Sequence, residues 1–239
     1  MFHPNGPTFF ELARQALSST EHGYNLLAPK FDYTPFRTHP FILETIREAI
    51  RDSGETDRAL DICCGTGAGI EMLLSIGCEN ITGIDMSQGM LDVAARNTAE
   101  LDYEREVTFV RGEALAMPFD DEFDLAVCFG AFGHILPKDE RTFVKQINKA
   151  LKIGGRFCFV TTEMPSMISL QYLFSRSFNA AMHIRNLLFR PSFVMFYLTF
   201  LLPATKSLLE EEGFEVEVDE SLFTGRLKIL KFVQATKVR

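Results

Sequence analysis

The chain reads as an α/β protein, a mostly parallel sheet with helices on both faces. Three observations predict this. From Arg58 onward, short apolar runs suited to strands alternate with stretches of helical periodicity, the pattern of repeated β-α units. The first run, Leu60-Asp61-Ile62-Cys63-Cys64, passes straight into Gly65-Thr66-Gly67-Ala68-Gly69 and then a helix. Glycines at alternate positions let the backbone turn tightly and let a ligand lie against bare main chain. The second run ends in an acid, Asp85, eighteen residues beyond Gly67, and Asp61 stands near the end of the first. Strand ends of this kind are where ligands bind in open α/β sheets.

The elements follow from the N-terminus. Residues 8–19 have helical spacing, with Phe9, Leu12, Ala13, Ala16 and Leu17 on one stripe. Tyr24-Asn25-Leu26-Leu27-Ala28 continues it until Pro29 and the turn-like stretch from Phe31 to Pro40 intervene. His39-Pro40 opens a helix through Ile42, Leu43, Ile46, Ala49 and Ile50, ended by Asp52-Ser53-Gly54. This helical opening, 1–55, either packs against the sheet or forms a lid over the glycine loop. Strand one is Ala59 to Cys64, followed by a helix from Ala68 to Ile76 closed by Gly77. Strand two is Ile81 to Asp85, and Ser87 opens a helix from Gln88 to Leu101. Val107 to Arg111, Phe123 to Phe129 and Gly155 to Thr161 read as strands three to five, with a helix from Lys138 to Leu151 between the last two.

After strand five the composition shifts. Residues 164–205 contain no acid but include Arg176, Arg185 and Arg190 and eight aromatics, and Met167, Leu170, Phe174, Phe178, Ala181, Ile184 and Leu188 fall on one helical stripe. Three roles are open for this segment: a pair of amphipathic helices packed on the core, a lid on an apolar pocket, or a surface that meets a membrane. The ordinary pattern then resumes, with a helix from Pro203 to Glu212 closed by Gly213 and strands at Phe214 to Val218 and Leu227 to Ala235. The chain of 239 residues is expected to be one domain, divided into 1–55, a core at 56–163, the insertion at 164–205, and 206–239.

Charge and cysteine usage narrow the function. A net charge of −8 argues against binding nucleic acid along its phosphates. Cys63, Cys64, Cys78, Cys128 and Cys158 are odd in number and form no C-x-x-C pair, so neither a metal site nor a disulfide framework is expected. Reduced core thiols in a cytoplasmic protein are the simpler reading. The start, Met1-Phe2-His3-Pro4-Asn5-Gly6, lacks the basic and apolar regions of a signal peptide. The apolar run Phe193 to Leu202 is about half of the ~20 residues that a spanning helix needs.

A strand, a glycine loop, a helix and an acid ending the next strand make up a nucleotide-binding arrangement, in which the two oxygens of Asp85 can accept from ribose hydroxyls. Ile70 stands where a dinucleotide fingerprint wants a third glycine, which disfavours a nicotinamide oxidoreductase. Leu60 to Gly67 resembles the first motif of the class I S-adenosylmethionine-dependent methyltransferases, in particular the small-molecule branch of the ubiquinone/menaquinone-biosynthesis type. Gly83-Ile84-Asp85-Met86-Ser87, Gly112-Glu113-Ala114-Leu115-Ala116-Met117-Pro118-Phe119 and Leu151-Lys152-Ile153-Gly154-Gly155-Arg156 resemble the family's later segments, in family order and spacing. The resemblance implies a Rossmann-like seven-stranded sheet whose last strand runs antiparallel. It also implies S-adenosyl-L-methionine as cofactor, S-adenosyl-L-homocysteine as product, and methyl transfer to a small hydrophobic acceptor by in-line displacement.

Carried over by position, Asp61, Gly65, Thr66 and Gly67 would cradle the methionine moiety and Asp85 the ribose. Met86 would pack on the adenine, Glu113 and Ala114 would meet its edge, and Phe129 would lie near the sulfonium. Cys63, where many members have glycine, is expected to cost little, and Glu113 stands where aspartate is commoner. His134 and Glu163 follow strands four and five, and either could serve as a general base, His134 being better matched to neutral pH. A non-catalytic subunit that binds the same cofactor is the competing function.

Overall fold

The computed structural model describes residues 3–101 and 103–239; Met1 and Phe2, part of the stretch read for a signal peptide, and Asp102 lie outside the described residues. Seven strands form one sheet in the order β3-β2-β1-β4-β5-β7-β6. They are β1 (Arg58–Ile62), β2 (Asn80–Asp85), β3 (Glu106–Arg111), β4 (Phe123–Cys128), β5 (Leu151–Thr162), β6 (Phe214–Asp219) and β7 (Leu230–Lys237). The pairs from β3 to β5 are parallel, and β7 runs antiparallel between β5 and β6. The expected boundaries differ from these by a few residues. Strand five begins four residues early because Leu151 already pairs with Phe123, with a register shift before Leu125 meets Arg156. Strand one stops at Ile62, because Cys63 takes a positive φ of 57° and turns the chain out of the sheet.

The helices are α1 (Phe9–Ala16), α2 (Thr20–Leu27), α3 (Pro40–Asp52), α4 (Ala68–Ser75), α5 (Gln88–Ala99), α6 (Glu140–Ala150), α7 (Leu170–Leu188) and α8 (Ala204–Glu211). The helix read over 8–19 is broken. Thr8 and Glu11 form a capping box that starts α1, and Ser19 accepts from the His22 N–H to start α2. Fully buried side chains crowd both faces of the sheet: Phe143, Phe157, Phe159 and Phe200 on one, Ile46, Ile50, Ile70 and Leu73 on the other. Each such side chain contributes about 1.5–3 kcal/mol by leaving water. Arg156 at the start of the β5 core is buried, and its guanidinium donates to the Gly54 and Glu55 carbonyls, tying the end of α3 to the sheet.

The helical segments outside this core are arranged contrary to their patterning. On α1 the stripe is split: Phe9, Ala16 and Leu17 are exposed, Leu12 and Ala13 are half-buried, and Gln15 is buried. In α7 the outward residues are Leu170, Leu173, Phe174, Ile184, Leu187 and Leu188. The inner side of α7 mixes Ser175, Asn179 and Asn186 with half-buried Tyr172, Phe178 and Met182: the Asn179 side chain exchanges two hydrogen bonds with the backbone of Tyr197 (2.8 and 2.9 Å), and Asn186 does the same with Phe193 (2.9 Å each). These amides hold Phe193 and Tyr197 in a strap without regular secondary structure, where a second helix was one expectation for this segment.

Candidate active site

Strand order reverses between β1 and β4, and at their C-terminal ends lies a cavity of about 480 Å3. Its floor is the glycine loop. Gly67 is the N-cap of α4 with φ 93°, a left-handed conformation that favours glycine, and its Cα faces Ala94 of α5. Gly67 therefore serves the turn and the packing of α4 on α5 rather than the cavity wall. A Cβ at Gly69 would collide with Asp61 Oδ2, so this glycine makes room for the acid. Cys63 reaches the wall with φ 57°. At that dihedral a side chain strains the backbone by about 1–2 kcal/mol, so Cys63 carries a cost that glycine in its place would not.

Asp61 is 2% exposed, and its Oδ2 has no hydrogen-bond partner among the described residues. Burial, reinforced by the charge of Asp85, pushes its carboxyl up to about 8, against a small opposing effect of the Ile70 N–H. A buried carboxylate oxygen without a partner is what a cationic group would complete, and the ammonium of a methionine moiety fits it. Asp85 is fixed before any ligand arrives, its Oδ2 accepting from the Gly65 N–H (3.0 Å) and its Oδ1 from the Ser87 N–H (2.8 Å). Burial raises its pKa and the nearby Glu113 adds to that, while the two N–H donors oppose it. Met86, Glu113, Ala114 and Phe129 line the same cavity, with Glu113 exposed at its rim. Eight of the nine cofactor positions expected from the sequence thus meet in one place, Gly67 being the exception.

The roof comes from the N-terminal helices, in positions that local sequence pattern did not single out. Asp32 accepts from the Thr66 hydroxyl at 2.5 Å and from Asn97 Nδ2 at 3.1 Å, and pairs with Arg37 at 3.0 Å. Asn25 of α2 accepts at the α5 N-terminus from Ser87 Oγ and the Gly89 N–H, both at 2.8 Å. The opening segment is therefore latched directly onto the glycine loop and the helix after β2. Tyr24 was read only as part of a helical stripe, yet its hydroxyl lies 2.7 Å from His134 Nε2 in the cavity wall. His134 Nδ1 lies 2.5 Å from the Val194 carbonyl, which can only accept, so Nδ1 carries the proton and Nε2 accepts from Tyr24. Burial holds the imidazole below its ordinary 6.5, opposed by the Val194 carbonyl, and burial likewise raises the Tyr24 hydroxyl. Glu163, the other candidate base, is exposed, does not line the cavity, and bridges its backbone to Leu202. Nothing in the local sequence around Tyr24, Asn25 or Asp32 marks them, because their partners lie 34 to 110 residues away.

Residues 59–155 match the family described as "Methyltransferase domain". The chain is 32% identical over 190 residues to the demethylmenaquinone methyltransferase of Staphylococcus aureus, covering 75% of this chain and 77% of the relative. Among solved structures, the complex of DhpI with S-adenosylhomocysteine superposes with a TM-score of 0.66 at 18% identity, covering 97% of this chain and 100% of the other. The magnesium protoporphyrin IX methyltransferase of Synechocystis PCC 6803, also with bound S-adenosylhomocysteine, gives 0.57 at 14% identity and covers 83% of each chain. The relative at 32% identity, covered over three quarters of its length, and the matching methyltransferase domain settle the matter: the chain belongs to the class I S-adenosylmethionine-dependent methyltransferases that act on small molecules.

Proposed function

We propose that this methyltransferase acts in the cytoplasm on a lipophilic, hydroxyl-bearing aromatic acceptor of the quinol type, and that Tyr24 and His134 take up the proton that acceptor loses. The observation that carries the reading is the Tyr24–His134 hydrogen bond in the cavity wall, where Phe129, Phe132 and Phe196 supply aromatic surface beside it. The name of the S. aureus relative, a demethylmenaquinone methyltransferase, supports the acceptor class. S-adenosylmethionine supplies a methyl group on a sulfonium, so much of the catalysis lies in holding the acceptor in line with it, and no covalent enzyme intermediate is required. What remains is the proton. His134 is neutral at pH 7 with its free lone pair on Nε2, so it accepts the Tyr24 proton as the Tyr24 oxygen accepts that of the acceptor. The strap from Met195 to Thr199, also in the wall, would close over the acceptor. Asp61 and the glycine loop would hold the methionine end, Asp85 the ribose, and Met86, Glu113 and Ala114 the adenine.

The test is turnover of a short-chain quinol by Tyr24→Phe and His134→Gln, alongside calorimetry with S-adenosylhomocysteine. Tyr24→Phe should lower kcat by about 10²-fold or more while leaving product affinity unchanged. Because burial lowers the His134 pKa, the acid limb of the wild-type kcat profile should fall below pH 6.5. Full kcat in both variants, or no turnover of any quinol by the wild type, would overturn the assignment.

A further inference from the structure

The outward face of α7 is the feature the site leaves unexplained. Leu170 is 85% exposed, Phe174 63%, Leu187 79% and Leu188 69%, and Met167 and Ile168 extend the face past the helix start. At 3.6 residues per turn Leu170, Phe174, Ile184 and Leu188 share one stripe, while Ser175, Asn179 and Asn186 share the opposite one. The helix is thus mounted with Ser175, Asn179 and Asn186 toward the protein and most of its large aliphatic side chains outward. Sequence patterning alone would seat it the other way round, and the asparagine clamps on Phe193 and Tyr197 fix the inversion. The face is continued by α1: Arg185 donates to the Ala16 and Ser18 carbonyls at 2.8 and 2.7 Å, which brings α1, with exposed Phe9, Phe10 and Leu17, against the end of α7.

We propose that this joint face of α7 and α1 seats the enzyme on an anionic lipid surface. Six large apolar side chains exposed on one helix mark a docking surface, and charge decides what docks. Residues 164–205 hold no acid, in a chain whose net charge is −8, and Arg176 on α7 and Arg190 just past its end are exposed. The α1 acid Glu11 is paired with Lys30 at 2.7 Å. A second copy of the chain would place arginines against a face with no carboxylate in 164–205 to receive them, whereas lipid phosphates do receive them. Gln171 and Ser175 of the same helix line the cavity, so α7 has one side on the membrane and the other on the acceptor. The proposal rests on the lipophilic-acceptor reading for its purpose; its geometry stands on the surface alone.

Sedimentation with phosphatidylcholine vesicles, with and without phosphatidylglycerol and at low and high salt, tests it. The wild type should bind the anionic vesicles, and salt should weaken the binding. The triple variant Leu170→Gln, Leu187→Gln, Leu188→Gln, none of them in the cavity wall, should bind on the order of tenfold less or weaker still. Arg176→Gln with Arg190→Gln should lose on the order of five-fold per arginine on anionic vesicles only. All variants should turn over a water-soluble quinol as the wild type does and lose turnover only of a vesicle-borne, long-chain one. No vesicle binding by the wild type, undiminished binding by the triple variant, or a wild-type dimer that the triple variant dissociates would each overturn the proposal. Vesicle binding with no turnover of any quinol would sustain the membrane surface and overturn the acceptor assignment.

Discussion

Asp61 is where binding and stability oppose one another most sharply. Burial, with Asp85 behind it, moves its pKa from 3.8 to about 8 in the folded, ligand-free protein. A carboxyl that holds its proton more tightly when folded makes stability fall as pH rises. Below the ordinary value both states are protonated and nothing is lost; between the two values folding takes up a proton; above the higher one the loss is complete. Each pH unit in that window is worth about 1.4 kcal/mol, so at pH 7 this group costs the ligand-free protein on the order of 4 kcal/mol. Asp61→Asn cannot ionise and escapes that cost, but its amide puts an unpartnered donor where Oδ2 sits, worth about 1–3 kcal/mol the other way. The variant should therefore be more stable than the wild type by about 1–3 kcal/mol at pH 7 and near parity at pH 5. Urea denaturation of the ligand-free proteins across this pH range measures the difference. Calorimetry with S-adenosylhomocysteine gives the other half: the wild type should release up to about one proton on binding near pH 7, and the variant should bind about 10–100-fold more weakly. A variant no more stable than the wild type at any pH, or one that binds the product with unchanged affinity, would refute the account.

Asp32→Ala should unlatch the N-terminal segment from Thr66 and Asn97, speeding release of S-adenosylhomocysteine by about tenfold in stopped-flow displacement and, because the buried Thr66 hydroxyl loses its acceptor, costing about 1–3 kcal/mol in thermal melts. At position 63, where φ is 57°, Cys63→Gly should be at least as stable as Cys63→Ala. An ordinary strand position gives the reverse order by about 0.5–1 kcal/mol, so thermal melts of the two variants read the sign directly. Asn186→Ala strips the buried Phe193 backbone of both its side-chain partners and should cost about 2–3 kcal/mol, with hydrogen exchange rising at the Phe193 amide.

Much of the core was legible because its signals are local. The β-α alternation, the glycine loop and the acid at Asp85 lie within short windows, and the sheet set their expected order with boundary errors of a few residues. That the positions expected for a cofactor line one cavity follows from topology: Asp61 lies one residue short of the end of β1, Asp85 ends β2, and Glu113 and Phe129 follow β3 and β4, ends that parallel strands bring together at one edge. Cys63 was misjudged because a strand pattern says nothing about the dihedral at which the strand leaves the sheet.

The insertion and the N-terminal segment were different. Periodicity over 164–205 identified an amphipathic helix but not the direction it faces. A stripe of leucines records that one side is apolar, and only the contacts of Asn179 and Asn186 determine which side is buried. The Tyr24–His134 bond joins residues 110 apart, and the Asp32–Thr66 bond joins residues 34 apart, so neither leaves a trace in any local window. The sequence by itself determined a β-α sheet with a nucleotide-type loop, because hydrophobic period and turn chemistry are written residue by residue. The tertiary structure decided which carboxyl oxygen is left without a partner among the described residues, which tyrosine meets the histidine, and which side of α7 faces out, because these depend on where distant segments come to rest against one another.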